Sequence, residues 1–137
     1  MLRELEIKNI LLIKRLSLNF SSGLNAFTGE TGTGKSILLD CLGFVLGARG
    51  QASIVRDGTD RGEVTAIFSL ESYSKVNLIL DEAGIKQSDE LIIRRVNFLD
   101  GRKSAWINDK RVSSEFLRNL GENLIELSIS YPETEFA

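Results

Sequence analysis

Apolar and polar side chains alternate along several short stretches of the 137-residue chain, which is typical of β-strands with one buried and one solvated face. Two of these stretches flank the segment Leu99-Asp100-Gly101-Arg102, where Asp-Gly predicts a tight hairpin turn. The predicted strands are residues 2–8, 12–20, 24–28, 63–70, 90–98, 103–107 and 123–129. The pattern therefore predicts a sheet rich in antiparallel hairpins.

Three other stretches repeat their apolar side chains at the period of a helix. The first predicted helix runs from residue 34 to about residue 47, the second from 73 to 83 and the third from 113 to 120. Gly84 is expected to cap the second helix, and Gly121 to end the third. Ser113 or Ser114 is the expected N-cap of the third helix. Strands and helices together predict a mixed α/β domain.

The composition excludes several kinds of chemistry. Hydrophobic residues make up 42% of the chain and charges of both signs are present, which indicates one folded domain rather than a disordered or membrane protein. Because the chain has no histidine, it cannot by itself form a Ser-His-Asp or Cys-His nucleophile or a histidine metal site. Cys41 is the single cysteine, so an intrachain disulfide is excluded, and a core position is expected for it.

The N-terminus carries Glu4 and Glu6 and lacks the long apolar stretch of a secretion signal or a membrane span. We therefore expect a cytoplasmic protein without a membrane partner.

A later segment concentrates basic side chains, which are Arg94, Arg95, Arg102, Lys103, Lys110, Arg111 and Arg118. Such a segment could form a nucleic-acid surface, with Trp106 and Phe98 stacking on a base. The interspersed acids Asp100, Asp109 and Glu115 favour an ion-paired, solvated sheet face instead. Strand aromatics more often pack in a sheet, so we expect both aromatic side chains in the core or on a sheet face.

The segment Gly29-Glu30-Thr31-Gly32-Thr33-Gly34-Lys35-Ser36 fits the phosphate-loop pattern G-x-x-x-x-G-K-[ST] at every fixed position. It follows a predicted strand and opens a predicted helix, where backbone N–H groups and the helix dipole bind phosphate oxygens. Gly29, Gly32 and Gly34 allow the close backbone approach, Lys35 spans the β- and γ-phosphates, and the Ser36 hydroxyl holds Mg²⁺. A glycine-rich turn with a surface lysine is the alternative. The context favours nucleotide binding by all eight residues.

ATP hydrolysis needs a further carboxylate at the end of a second apolar strand. The segment Leu78-Ile79-Leu80-Asp81-Glu82 has that appearance. However, apolar residues at helical spacing followed by Gly84 favour a helix. We therefore assign neither Asp81 nor Glu82 to the site, and no catalytic residue is predicted.

The residues around the phosphate loop resemble a known family. The matching segments are residues 5–9, 16–20, 23–25, 28–40, 46–49, 94–96, 100–108 and 117–127. Over about residues 1–127 the chain resembles the N-terminal lobe of the RecN family, bacterial DNA-repair ATPases in the SMC-like branch of the ABC superfamily. This resemblance implies a P-loop NTPase fold of the ABC/SMC head type, with antiparallel strands around a phosphate-loop core.

The resemblance also implies function. In that family a long coiled coil follows this lobe, and a C-terminal lobe supplies the signature motif and the acidic metal-binding strand. ATP with Mg²⁺ is held between two heads, so a head-to-head dimer or a separate C-terminal lobe is an implied partner. DNA is a further implied partner, in the recombinational repair of double-strand breaks.

The resemblance stops after Leu127. Relatives continue into a His-Gly-Gln-His segment, whereas residues 128–137 read SISYPETEFA. We therefore predict a lobe at residues 1–127 and a divergent tail at 128–137. A truncated or decaying gene product is expected rather than a deliberately shortened chain.

Three functions remain as hypotheses. The first is an ATP-binding half-head in DNA repair. The second is a nonfunctional remnant that folds and binds nucleotide without turnover. The third, a stand-alone phosphate-loop enzyme such as a small kinase, is disfavoured because no compact group of lid arginines and no run of parallel strand-helix units is visible.

Overall fold

The computed structural model describes residues 2–20, 32–47, 54–70, 75–86 and 89–124, with the backbone alone for 32–38. The elements in chain order are β1 (Leu2–Ile10), β2 (Ile13–Asn19), α1 (Gly32–Val45), β3 (Arg61–Ser69), α2 (Lys75–Glu82), β4 (Glu90–Phe98), β5 (Lys103–Ile107) and β6 (Lys110–Val112). Residues 114–124 form a further helix, α3. The predicted strand at 24–28 and the predicted tail at 128–137 lie outside the described residues.

The strands of the described residues form one sheet in the order β2-β1-β3-β4-β5-β6, and every neighbouring pair is antiparallel. The register places Leu5 opposite Ala66 and Ile7 opposite Val64. Because side chains alternate across a strand, these residues share one face of the sheet. The predicted antiparallel α/β architecture is confirmed, as are the predicted strands within the described residues, apart from the one at 123–129.

The helices cover that same face of the sheet. Fully buried aliphatic and aromatic side chains from the strands meet those of the helices there, among them Leu5, Ile7, Val64, Ala66, Phe68, Leu91, Ile93, Cys41, Val45, Val76, Leu80, Leu117 and Leu120. Burying a leucine or isoleucine side chain contributes about 1.5–3 kcal/mol relative to leaving it exposed. This single cluster fixes how the helices sit on the sheet.

Helix α2 confirms the helical interpretation of the segment before Gly84. Gly84 has φ +74° and donates its N–H to the Asp81 carbonyl at 3.0 Å, and Ile85 donates to the Leu80 carbonyl at 2.9 Å. These two bonds form a Schellman motif, which needs a residue in the left-handed region. The Lys110 ammonium adds a 3.0 Å hydrogen bond to the Ala83 carbonyl. The end of α2 is therefore capped from both the backbone and the neighbouring hairpin.

The β5–β6 hairpin was not predicted. Its turn residues Asn108 and Asp109 both have positive φ, at 47° and 71°. Two left-handed residues match the twist of a two-residue hairpin, and Asn and Asp tolerate this conformation. The Asn108 side-chain oxygen also accepts the Ile92 N–H at 2.8 Å. The Asn-Asp pair is the sequence signal that could have revealed this turn.

For helix α3, the predicted N-cap is confirmed and the predicted C-terminal end is wrong. The Ser113 hydroxyl oxygen accepts the Phe116 N–H at 3.0 Å, so Ser113 is the N-cap. The helix does not end at Gly121 but continues through residue 124, so the strand predicted from Asn123 is wrong over its first two residues. A Cβ at Gly121 would collide with the Leu46 carbonyl oxygen. The glycine is needed for close helix packing, not for helix termination.

Among the described residues, no helix is both long and apolar enough to cross a membrane.

Candidate nucleotide-binding site

The predicted phosphate loop runs into the first turns of α1. Gly29, Glu30 and Thr31 lie outside the described residues. Gly32, Thr33, Gly34, Lys35 and Ser36 are the first five residues of the helix, described by their backbone. The helix begins two residues earlier than predicted, inside the glycine-rich segment itself.

The start of α1 has the properties that an anion site requires. The first N–H groups of a helix have no partner within it and carry its partial positive charge. The first turn of α1 contains no acidic residue that would repel a phosphate. The described backbone therefore fits the binding of a phosphate group at this end of the helix.

The second half of α1 is fixed in the core. Cys41, Leu42, Phe44 and Val45 are buried, whereas Leu39 is exposed. The helix packs against β3, β4 and β1. The burial sets the rotation of the helix about its axis, and therefore the direction in which its N-terminal end faces.

Arg95 of β4 reaches the C-terminal end of this helix. Its side chain is 2% exposed, and its Nη1 donates a 2.6 Å hydrogen bond to the Phe44 carbonyl. The guanidinium carbon lies 4.5 Å from the centre of the Phe44 ring. Burial, and secondarily the charge of Arg118, lower the pKa of Arg95. This contact was not predicted, although the alternation Leu91, Ile93, Arg95 along β4 places Arg95 on the buried face.

A second element packs against the same helix end. A Cβ at Gly47, which has φ +102°, would lie 2.6 Å from the Arg118 Cα of α3. Together with the close approach of Gly121 to Leu46, this contact leaves no room between α3 and the end of α1. The predicted stop of the first helix near Gly47 is confirmed.

The acidic pair Asp81-Glu82 does not end a strand. Both residues are exposed and lie in the last turn of α2, beside the half-exposed Leu78. The helical interpretation of this segment is confirmed, and the exclusion of both acids from the site stays a prediction. In the described parts of the chain, no three acidic or cysteine side chains come together as a metal-binding group.

Cys41 is buried, as expected for a core residue. Its pKa is raised to about 11, chiefly by burial and secondarily by the charge of Asp40. The neutral thiol is therefore the form present at physiological pH.

The outer face of the sheet carries two of the predicted basic residues, Arg94 and Arg111, each bonded to a neighbouring side chain. Arg94 donates a 2.6 Å hydrogen bond to the Glu63 carboxylate and lies 4.8 Å from the Trp106 ring centre. Arg111 donates to the Ser104 hydroxyl at 3.1 Å. The prediction of an ion pair on this face, with Trp106 beside it, is confirmed for Arg94, whereas the partner of Arg111 is a neutral hydroxyl. Arg95 and Lys110 lie on the opposite face, and Arg118 lies on α3.

Phe98 lies at the end of β4, where two arginines approach its ring. The guanidinium carbons of Arg102 and Arg61 lie 4.5 and 5.9 Å from the ring centre. Arg102 also forms a 2.8 Å ion pair with Asp100, whose pKa is lowered, first of all by the Arg102 backbone N–H. Cation–π contacts and the ion pair satisfy these charges locally.

Comparison with protein families gives a match over most of the chain. The model of the AAA domain family matches residues 4–133. Among curated proteins, the DNA repair protein RecN of Vibrio cholerae is 42% identical over 127 residues, and that of Bacillus subtilis is 40% identical over 128. Each match covers 93% of this chain, but 23% and 22% of the relative. The chain thus spans less than a quarter of the length of these relatives.

Solved structures of SMC proteins share the fold. One, from work on ATP-driven dimerization and DNA-stimulated activation of SMC ATPases, has a TM-score of 0.68 at 26% identity, covering 90% of this chain and 79% of that chain. An SmcHead bound to the C-winged helix domain of ScpA has a TM-score of 0.64 at 25% identity, covering 93% and 41%. The fold is therefore that of an SMC-type ATPase head lobe.

The chain belongs to the AAA domain family. The curated relatives named above are RecN proteins, so the resemblance predicted from the sequence is confirmed.

Proposed function

We propose that this chain binds Mg²⁺-ATP through residues Gly29 to Ser36, as the phosphate-loop lobe of a RecN-like ATPase that takes part in recombinational repair of DNA double-strand breaks. The observation that carries the proposal is the start of α1 at Gly32, inside a complete phosphate-loop pattern. The backbone N–H groups of that first turn suit phosphate oxygens.

The proposed roles follow the chemistry of each residue. Gly32 and Gly34 let the backbone approach the phosphates, Lys35 neutralises the β- and γ-phosphates, and Ser36 offers a hydroxyl to Mg²⁺. When bound, the metal neutralises the charge that develops on the phosphate oxygens.

The rest of the ATPase is proposed to come from other protein segments. The chain spans less than a quarter of its RecN relatives, so the signature motif and the acidic metal-binding strand are assigned to a C-terminal lobe or to a second head. The related SMC structure concerns ATP-driven dimerization and DNA-stimulated activation. We extend ATP-dependent association and DNA as a partner to this chain, and propose the cytoplasm as its location.

Calorimetric titration of the purified chain with Mg²⁺-ATP tests the proposal. The wild type is expected to release heat at a single site, and Lys35→Ala to lose that signal, because the phosphate charge is then unneutralised. Lys14→Ala is the matched control, since Lys14 is an exposed lysine on β2. It is expected to bind as the wild type does.

Absence of heat with the wild type would refute nucleotide binding. Equal losses in the Lys35→Ala and Lys14→Ala variants would refute the assignment of the site to the phosphate loop.

A further inference from the structure

We propose that Arg95 is a positioning residue for the phosphate loop: it holds the C-terminal end of α1 so that the N-terminal end presents its amides in the geometry that nucleotide binding requires. The inference rests on the proposed nucleotide binding. Arg95 lies outside the loop and contacts the opposite end of α1.

Two contacts join Arg95 to the same residue of α1. The guanidinium donates to the Phe44 carbonyl at 2.6 Å and stacks on the Phe44 ring at 4.5 Å. The Phe44 carbonyl also accepts the Gly47 N–H at 3.1 Å. A cation at a helix C-terminus is attracted by the partial negative charge of the last carbonyls. The planar guanidinium fixes direction as well as distance, since donor and stacking plane are rigidly linked.

The helix end that Arg95 holds is also enclosed by α3. Gly47 lies against the backbone of Arg118, and Gly121 against the Leu46 carbonyl. With β4 on one side and α3 on the other, the end of α1 is held by two elements. Arg95 supplies the polar, directional contact of this arrangement.

The helix length converts a small tilt at one end into a displacement at the other. Its 14 residues correspond to a rod of about 20 Å at 1.5 Å per residue. A tilt of about 5° about the C-terminal end then moves the N-terminal amides by about 2 Å. In enzymes, misplacement of reacting groups by about 1 Å can cost on the order of 100-fold in rate, and we expect a smaller loss for nucleotide binding.

Stability alone does not account for a buried guanidinium here. Removing a charged group from water is costly, and buried charged groups replaced together with their partners by apolar side chains often leave a protein as stable. In Arg95→Met the Phe44 carbonyl keeps the Gly47 N–H as a donor, so it is not left without a hydrogen bond. A side chain kept for position should therefore be replaceable without loss of folding but with loss of binding. This separation of stability from binding is what distinguishes a positioning role from a structural one.

The experiment compares Arg95→Met with Arg94→Met. The two residues are adjacent on β4, but Arg94 lies on the outer face with Glu63 and Trp106, away from α1. Thermal unfolding measures stability, and calorimetry measures Mg²⁺-ATP affinity well below both melting temperatures. We expect Arg95→Met to keep a melting temperature near that of the wild type and to bind at least about 10-fold more weakly. Arg94→Met is expected to bind as the wild type does.

Arg95→Lys supplies a conservative replacement. It keeps the cation and a donor but loses the planar stacking, so we expect binding about threefold weaker than the wild type, between the wild type and Arg95→Met. A lysine variant as weak as the methionine variant would overturn the proposal, as would wild-type affinity in Arg95→Met. If Arg95→Met does not fold, Arg95→Lys decides alone, and wild-type affinity in it contradicts the proposal.

Hydrogen exchange separates this inference from the proposed function. We expect the amides of residues 42–47 to exchange faster in Arg95→Met than in Arg94→Met without nucleotide, because the helix end is released. Equal exchange in the two variants would refute the anchoring. If the wild type binds no ATP, nucleotide binding fails, while the exchange comparison still tests whether Arg95 holds α1.

Discussion

Arg94 and Arg95 are neighbours in sequence and have opposite environments. Arg94 is on the outer face, paired with Glu63, whereas Arg95 is buried against Phe44. The cause is the two-residue period of β4, which sends successive side chains to opposite faces. In the composition both are simply basic residues, and only their positions along the strand place them on opposite faces of the sheet. At the scale of single residues, identity sets the chemistry that is available and register sets where it is used.

Cys41 carries a prediction at the same scale. Burial raises its pKa to about 11 from 9.0, so at pH 8 its thiolate fraction is on the order of 100-fold lower than in the unfolded chain. We expect Ellman's reagent to label the folded protein at least that much more slowly than protein in guanidinium. Because the folded state retains the proton, this group's contribution to stability is present below pH 9 and is lost as the pH rises towards 11.

Cys41→Ala is the control for labelling, since it removes the single thiol of the chain. Rapid labelling of the folded wild type, at the rate of the unfolded chain, would show that the thiol is accessible.

The contact between α1 and α3 depends on glycine at the scale of elements. Gly47 and Gly121 each occupy a place where a Cβ would overlap the backbone of the other helix or its extension. Small residues allow two backbones to approach more closely than ordinary helix packing permits. This packing explains why a glycine that predicts a helix end instead lies inside α3.

Gly121→Ala tests the contact. The added Cβ cannot be accommodated against the Leu46 carbonyl, so the helices must separate. We expect a loss of about 1–3 kcal/mol in the free energy of unfolding, the usual range for overpacking. Urea denaturation gives the value.

Glu122→Ala, at the exposed neighbouring position, is the control and is expected to change stability by less than about 0.5 kcal/mol. An unchanged or increased stability in Gly121→Ala would contradict the close packing, because alanine is otherwise the better helix former.

At the scale of the whole chain, the described residues form one antiparallel sheet with helices on one face, and α1, which begins inside the predicted phosphate-loop segment, is among those helices. It resembles the head lobe of SMC ATPases. The acids that could imitate a catalytic pair, Asp81 and Glu82, are exposed at the end of α2. This architecture fits the nucleotide binding proposed above, in which other protein segments supply the remaining catalytic groups.

At this scale we expect the purified chain to hydrolyse ATP no faster than a protein-free control, since phosphoryl transfer needs a metal-supporting carboxylate and a group that orients water. A phosphate-release assay measures the rate, and Glu82→Gln is expected to leave it unchanged. Steady hydrolysis by the wild type that is lost in Glu82→Gln would reverse the interpretation of α2.

The sequence by itself determined the local structure and the candidate chemistry. Alternation identified the described strands β1 to β5, helical spacing and Gly84 identified α2, and the glycine-rich pattern marked the phosphate loop. These features depend on residues close together in the chain, where period and turn chemistry act directly. The eight loop residues remain a prediction from sequence.

The tertiary structure alone decided what depends on distant segments. It placed Arg95 against the end of α1, with donor and acceptor 51 positions apart along the chain. It continued α3 through Gly121, because the Leu46 carbonyl lies where a side chain would be. Local propensity could not predict either contact, since both arise only when the helices pack on the sheet. Packing between elements therefore overrode the local signal at the helix end and gave a charged strand residue a place in the core.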